Sequence, residues 1–502
     1  MNKVSIRITL LYFIFLYLLS NCMGKKTEIA WDKNFPIIGS QSSPRAADLN
    51  QDGILDIVMG AGKNEYQYSE KGILALDGKT GDLLWQHEAA DQVFGSPTFC
   101  DVTGDGVKDV FIGGRSNQLK ALDGRTGELI WVYRFKYNED SILQYARFNF
   151  YNSVLVPDQN GDGLPDLLIQ NGGNSKVEPY SEKDRYPGVL LLFDIKSGEI
   201  LAADTTPDGK ESYMSPLYYK QPGDPEAYIV FGSGGETIGG NLYLAKLSDL
   251  LTGELFNAKI IASGGGHGFI APPVLADITG DGLLDIVAVS HGSTIFAIDG
   301  KNHELIWTQQ VENTESSNSM AVGYFTEDKI PDFFTFVSEG QWPNSTGSIQ
   351  IMLDGSNGRI VYQNTLGCTG FSSPVVYDLN GDGRDEAIIS INEFDCHSGY
   401  VDQQTTEMEN RLVAIDFKTG AIYTIEQLKQ FKNIFSTPWI GDIDRDGYLD
   451  IVHCQYYHPT PDPIAFFGMR IKRISTHIRA LKDPSWGAYM GSGGNGIFLT
   501  DQ

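Results

Sequence analysis

Long apolar runs are almost missing from this 502-residue chain. The one near the N-terminus, from Ile8 to Leu19, is short for a bilayer span. Basic residues are also scarce: 38 Lys and Arg stand against 64 Asp and Glu, a formal net charge of −26, which argues against nucleic acid and anionic lipid surfaces as partners. There are five cysteines and no Cys-x-x-Cys pair, so a zinc ribbon or redox motif is not supported. No Gly-x-Ser-x-Gly, His-Glu-x-x-His or phosphate loop occurs. His267, within Gly264-Gly-Gly-His-Gly268, and His291 are candidate bases, but lone loop histidines are usually bystanders. Helical periodicity is nearly absent.

What is abundant is glycine beside carboxylate. The stretch Asp48-Leu-Asn-Gln-Asp-Gly-Ile-Leu-Asp56 recurs as Asp101–Asp109, Asp158–Asp166, Asp277–Asp285, Asp378–Glu386 and Asp442–Asp450. Oxygen side chains at positions 1, 3, 5 and 9 can converge on one hard cation, and the glycine at position 6 permits the tight turn. The expected metal ligands are Asp48, Asn50, Asp52 and Asp56; Asp101, Thr103, Asp105 and Asp109; Asp158, Asn160, Asp162 and Asp166. The other three loops supply Asp277, Thr279, Asp281 and Asp285; Asp378, Asn380, Asp382 and Glu386; Asp442, Asp444, Asp446 and Asp450. An all-oxygen, flexible ligand set favours Ca²⁺ over Mg²⁺, at about six sites of structural purpose.

A Ser/Thr-Pro or its relic precedes each loop, and the same register finds two decayed copies, so repeats start near 43, 96, 153, 215, 272, 319, 373 and 437. Each repeat reads as four short strands. One carries Ser-Pro to the loop, and one follows it, as in Asp56-Ile-Val-Met-Gly60. A third ends in a hairpin such as Leu74-Ala-Leu-Asp-Gly-Lys-Thr-Gly81. A fourth carries an aromatic, as in Leu83-Leu-Trp85. The pattern predicts an all-β, eight-bladed β-propeller of four-stranded antiparallel blades, one domain over 23–502. Glu28-Ile-Ala-Trp31 reads as a fourth strand without its first three, so the N-terminal strand is expected to complete the last blade and the tail beyond it to pack as a cap.

The loops resemble those of FG-GAP and VCBS repeat proteins, including the integrin α-subunit head. The Leu-Asp-Gly-x-Thr-Gly hairpins with their tryptophans resemble quinoprotein-type propeller blades. The resemblance implies blades, calcium and ring closure, and no activity by itself.

Residues 1–22 read as a targeting segment. Lys3 and Arg7 precede the apolar run, and Leu19-Ser-Asn-Cys22 resembles a bacterial lipobox with Cys22 as the lipidated residue. Asn21 departs from the usual small residue, which leaves simple secretion or an uncleaved anchor open. The expected place is the cell envelope, at the outer membrane or surface or facing the periplasm, with membrane contact only through the anchor. Cys100 and Cys454 fall in predicted strands and are expected to be buried thiols; Cys368 and Cys396 either form a disulfide or stay as thiols.

In a four-stranded blade the calcium loops and Asp-Gly hairpins share one face, and the long connections emerge on the other. Loops on a rigid scaffold usually carry binding residues. The expected ligand face holds Tyr66, Tyr145, Arg147, Tyr186, Trp342, Tyr400, Tyr456 and Tyr457. Aromatics among scattered charges suit a protein or glycan ligand. The reading is an adhesion, binding or scaffolding module. A polysaccharide lyase-like enzyme is the first alternative and a quinoprotein-type dehydrogenase the second, weakened because no two cysteines are adjacent.

Overall fold

The computed structural model describes residues 27–139, 141–341, 345–368, 370–394, 396, 408–457 and 465–499. Eight antiparallel sheets form a β-propeller. Their innermost strands are Arg45–Ala47, Thr98–Cys100, Val154–Val156, Leu217–Tyr219, Val274–Ala276, Ala321–Gly323, Val375–Tyr377 and Trp439–Gly441, here blades 1 to 8. Second strands such as Asp56–Gly60 and Asp285–Val289 are buried along their whole length, because both faces pack on neighbouring blades. Among the described residues the one α-helix is the short Leu247–Thr252 in blade 4. No helix among them is long and apolar enough to cross a membrane.

The ring closes with the N-terminal strand. Thr27–Pro36 pairs with Gly468–Arg479, which pairs with Tyr448–Tyr457, so blade 8 takes its outer strand from the other end of the chain. Full closure removes the open edges that would otherwise template aggregation.

Two sequence motifs hold blade to blade. The fourth-strand tryptophans reach the next blade's hairpin: Trp31 Nε1 donates to the Gly78 carbonyl, Trp85 to Gly124, Trp131 to Ile195 and Trp307 to Gly355, all at 2.8–2.9 Å. The Ser-Pro motif works at the axis. Thr437 N–H donates to Ser43 Oγ, Ser373 N–H to Thr437 Oγ1, Ser319 N–H to Ser373 Oγ and Asn152 N–H to Ser215 Oγ. Each bond runs from one blade to the next, so the hydroxyl satisfies a backbone donor that no strand partner could.

The tail does more than cap. The carbonyls of Trp486 and Gly487 accept from Val376 and Ile440, and Gly496 and Phe498 bond with Leu275. Between these ends, Arg45 donates to the Tyr489 carbonyl and Asn152 touches Met490 Sδ. The C-terminal segment thus enters the central channel, reaches innermost strands or their lead-ins in blades 1, 3, 5, 7 and 8, and plugs it.

Candidate functional site

The Asp-Gly loops and the third-to-fourth-strand hairpins lie on one face, tied by the ninth loop residue. Asp56 Oδ2 accepts from Leu49 and Asn50 N–H, while its Oδ1 accepts from Gly78 N–H of the hairpin. Asp109 and Asp285 repeat this on Gly124 and Gly300. Asp332, in the decayed sixth repeat, does the same with Phe325, Thr326 and Gly355. Position 9 therefore has a job that needs no ion: it accepts the backbone donors of two turns. Burial pushes the Asp56 and Asp332 carboxyls up to about 6 against those hydrogen bonds.

Positions 1, 3, 5 and 6 form a tight turn in which side-chain oxygens accept backbone N–H groups. The glycine at position 6 has positive φ (+87° at Gly53) and donates to the first carboxylate, Gly53 N to Asp48 Oδ2 at 3.0 Å and Gly163 N to Asp158 Oδ2 at 2.8 Å. Asp48 Oδ1 is buried without a hydrogen-bond partner. In the seventh loop burial, with Asp416, Asp378 and Asp382 nearby, pushes the Glu386 carboxyl up to about 9 against the Leu379 N–H. An orphaned buried oxygen and crowded negative charge fit a hard dication.

The opposite face holds a cavity of about 450 Å³ at the mouth of the plugged channel, with Tyr489 of the tail in its lining. Its wall follows a rule of spacing. The residue two places before each Ser-Pro position lines it in all eight blades: Gln41, Phe94, Tyr151, Tyr213, Ile270, Ser317, Phe371 and Phe435. Five are aromatic, in two walls on opposite sides of the ring. Phe94, Tyr151 and Tyr213 run in sequence with ring centroids 5.5 and 6.2 Å apart, and Phe371 stacks on Phe435 at 5.4 Å. The lining also includes Gln41, whose buried Nε2 has no partner, and Ser43, Ser96, Asn149, Asn152 and Asn174.

The charged part of the wall is braced from behind. Arg115 lies over Phe94 at 5.6 Å and pairs with Glu65. Arg185 pairs with Glu211 and reaches Tyr213 Oη at 3.5 Å. Burial raises the Glu211 carboxyl, opposed by Arg185, and its Oε2 has no hydrogen-bond partner. Burial also raises the Tyr151 and Tyr213 hydroxyls. Beside the cavity, His267 and His291 come together with ring centroids 5.6 Å apart, and each Nδ1 lies within hydrogen-bond distance of a backbone carbonyl, Glu236 and Ser316 respectively.

The expected ligand face resolves unevenly. Tyr145, Arg147 and Tyr186 do meet: Tyr145 stacks on Tyr186 at 6.0 Å, and the Arg147 guanidinium lies 4.5 Å from the Tyr186 ring. Tyr66 is exposed, bonds to Ser175 Oγ and lies under Lys176. Tyr457 is half-buried against Phe431. Tyr456 is not on the face. It has no exposed surface and packs in the blade 8 core, because its strand runs on to residue 457 and, like the other second strands, is buried on both faces. Trp342, Tyr400 and Cys22 lie outside the described residues. None of the six described face residues lines the cavity; its wall comes from the blade-to-blade links together with the second-to-third-strand loops of blades 2, 3 and 4. Cys368 and Cys396 are joined by a disulfide, Cα–Cα 5.8 Å, on the loop face. Cys454 is a buried thiol, whereas Cys100 is half-exposed at its strand's end.

Comparison with known proteins comes down on the blades. A family model described as outer membrane protein assembly factor BamB matches residues 47–162. No curated protein matches the chain. Among solved structures it is similar to quinohemoprotein alcohol dehydrogenase from Comamonas testosteroni, at 12% identity over 92% of this chain and 78% of that one, TM-score 0.55. It is similar to rhamnogalacturonan lyase from Bacillus licheniformis, at 14% identity over 92% and 78%, TM-score 0.53. A europium-containing methanol dehydrogenase follows at 11% identity over 89% and 93%, TM-score 0.52. These are likenesses of fold. They support the propeller fold; the calcium-repeat resemblance rests on the loops alone.

Proposed function

We propose that this protein is an exported, lipid-anchored, calcium-stabilised propeller that captures a ligand in the cavity on its loop face, as an adhesion or scaffolding module of the cell envelope. The observation that carries the reading is the eight-position ring before the Ser-Pro motifs, with two aromatic walls and amide and hydroxyl groups in the same lining. Such a lining suits a sugar ring of a glycan, or an aromatic or amide side chain of a protein partner, held by stacking and oriented by hydrogen bonds. The match to the BamB model supports the envelope setting. Screening the calcium-loaded protein against glycans and envelope proteins tests it: a ligand found there should lose affinity on Phe94→Ala or Phe435→Ala. A ligand indifferent to both substitutions places binding elsewhere.

A second reading has one observation of its own. Tyr213 and Arg185 in the cavity wall, with the buried Glu211 behind them raised by burial, offer acid–base chemistry on a polysaccharide. Cleavage of uronic-acid polymers, abolished by Tyr213→Phe, would establish a lyase; no product with any such polymer removes that reading.

A further inference from the structure

Blade 8 differs from the others in the residue that faces its cation loop. The third-strand residue opposite the second position after the loop is Ala75 in blade 1, Ala121 in blade 2, Leu192 in blade 3, Ala297 in blade 5 and Ala414 in blade 7. In blade 8 that register holds Arg473, opposite Val452. The eighth loop is also the one with a carboxylate, Asp444, at position 3, where the other five have Asn or Thr. An extra acid and an extra base arrive together.

They meet. Arg473 is 3% exposed. Its Nε and Nη2 each lie 2.9 Å from an oxygen of Asp450, its Nη2 also reaches Asp444 Oδ2, and its Nη1 donates to the Gly78 carbonyl at 3.1 Å. Carboxylate oxygens of Asp442, Asp444 and Asp450 are gathered within 4.8 Å of one another, the one such grouping among the described residues. Other basic side chains touch loops, but differently. Arg125 on Asp105 and Lys418 on Asp382 are exposed and hold only the fifth position.

Topology explains why blade 8 needs the arginine. In blades 1, 2, 5 and 6 the ninth residue takes a hairpin N–H from its own blade. Blade 8 has no such hairpin, since its fourth strand comes from the N-terminus. Asp450 would be buried short of donors, and Arg473 with Ser475 Oγ at 2.7 Å supplies them. A planar guanidinium suits this bidentate role.

From this we infer that Arg473 is the resident cation of the eighth loop, so that this loop takes no calcium while the other five do. Asp444 Oδ1 remains without a partner, so oxygen is to spare, but a dication would have to sit against a buried guanidinium. The inference rests on the calcium reading of the other loops.

Equilibrium dialysis of the purified protein with radioactive calcium tests both. Asp52→Ala should lower the calcium bound per chain by one, and Asp446→Ala, the same position of the eighth loop, should leave it unchanged. A drop of one on Asp446→Ala overturns the inference while leaving the calcium reading intact. No bound calcium in the parent overturns the calcium reading and this inference with it. Arg473→Met gives a second readout. It should melt lower than the parent without calcium and gain one bound ion, with a larger calcium-dependent rise in melting temperature. If it gains none and calcium does not rescue it, Arg473 is a strand brace only and the inference fails.

Discussion

The indole of Trp31 covers Gly81 so closely that a Cβ there would stand 2.6 Å from Trp31 Cδ2. The first tryptophan of the described chain therefore lies on the hairpin of blade 1 while belonging, by its strand, to blade 8. The same contact recurs at Gly127, Gly198 and Gly358 under Trp85, Trp131 and Trp307. Each of these glycines also has φ near +72° to +74°, so sterics and backbone both demand it.

Ring closure should depend on that seam. Gly81→Ala should cost about 2 kcal/mol or more, since it adds overlap to a strained backbone conformation. Removing residues 23–36 should be worse, exposing Gly468–Arg479 as an open edge and driving aggregation. Melting curves and size-exclusion profiles of both variants decide it; a monomeric truncation as stable as the parent would show that the tail alone closes the ring.

Calcium removal should lower stability. At tenfold free calcium over Kd, each site adds about 1.4 kcal/mol by mass action. Excess chelator that leaves the melting temperature unmoved would remove the calcium reading. Asp52→Ala should erase one site's share, whereas Asp224→Ala, in the decayed fourth repeat and near Tyr228 Oη, should show little calcium-dependent change.

How much of this was legible before the structure follows from what spacing can encode. The loop interval and the lone Glu28–Trp31 segment were enough for eight blades and for closure, because both are matters of register. The cavity wall has a register too, two residues before Ser-Pro, but its members range from Gln41 to Phe435, so residue type hid the position. Tyr456 misled for the opposite reason: it has the right type, but a strand running to residue 457 buries it. Nor does a carboxylate at position 9 reveal in sequence whether it holds an ion or two turns. Asp332, keeping the second role in a decayed loop, separates the two.

Binding should map to the cavity. Phe94→Ala or Phe435→Ala should weaken the ligand by about 2 kcal/mol, the usual cost of truncating a buried aromatic anchor. Lys79→Glu, on an exposed hairpin of the opposite face, should do little. Tyr456→Ala is a stability mutant instead, expected to cost about 3–5 kcal/mol as a large-to-small core change. Titration calorimetry alongside melting curves separates these, and affinity lost through Lys79→Glu but kept without the phenylalanines would move the site to the other face.

Acid should weaken the seam between blades 7 and 8 through His453. The imidazole is fully buried, with Nδ1 2.9 Å from Glu426 Oε2 and Nε2 3.2 Å from Ser390 Oγ. Burial pushes its pKa down to about 3. The neighbouring Glu426 would oppose this, but Lys472 pairs with the same carboxylate and offsets its charge. The folded state therefore keeps His453 neutral, while the unfolded chain takes up a proton near pH 6.5. Across the window from about 6.5 down to 3 the unfolded state binds more protons, so stability from this group is full above 6.5 and falls on acidification by up to about 1.4 kcal/mol per pH unit. His453→Gln should remove that slope. Denaturant melts of parent and variant at pH 7, 5.5 and 4.5 measure it: the parent should lose more than the variant between the first and last. Parallel losses in the two proteins would show that His453 is not the group that titrates.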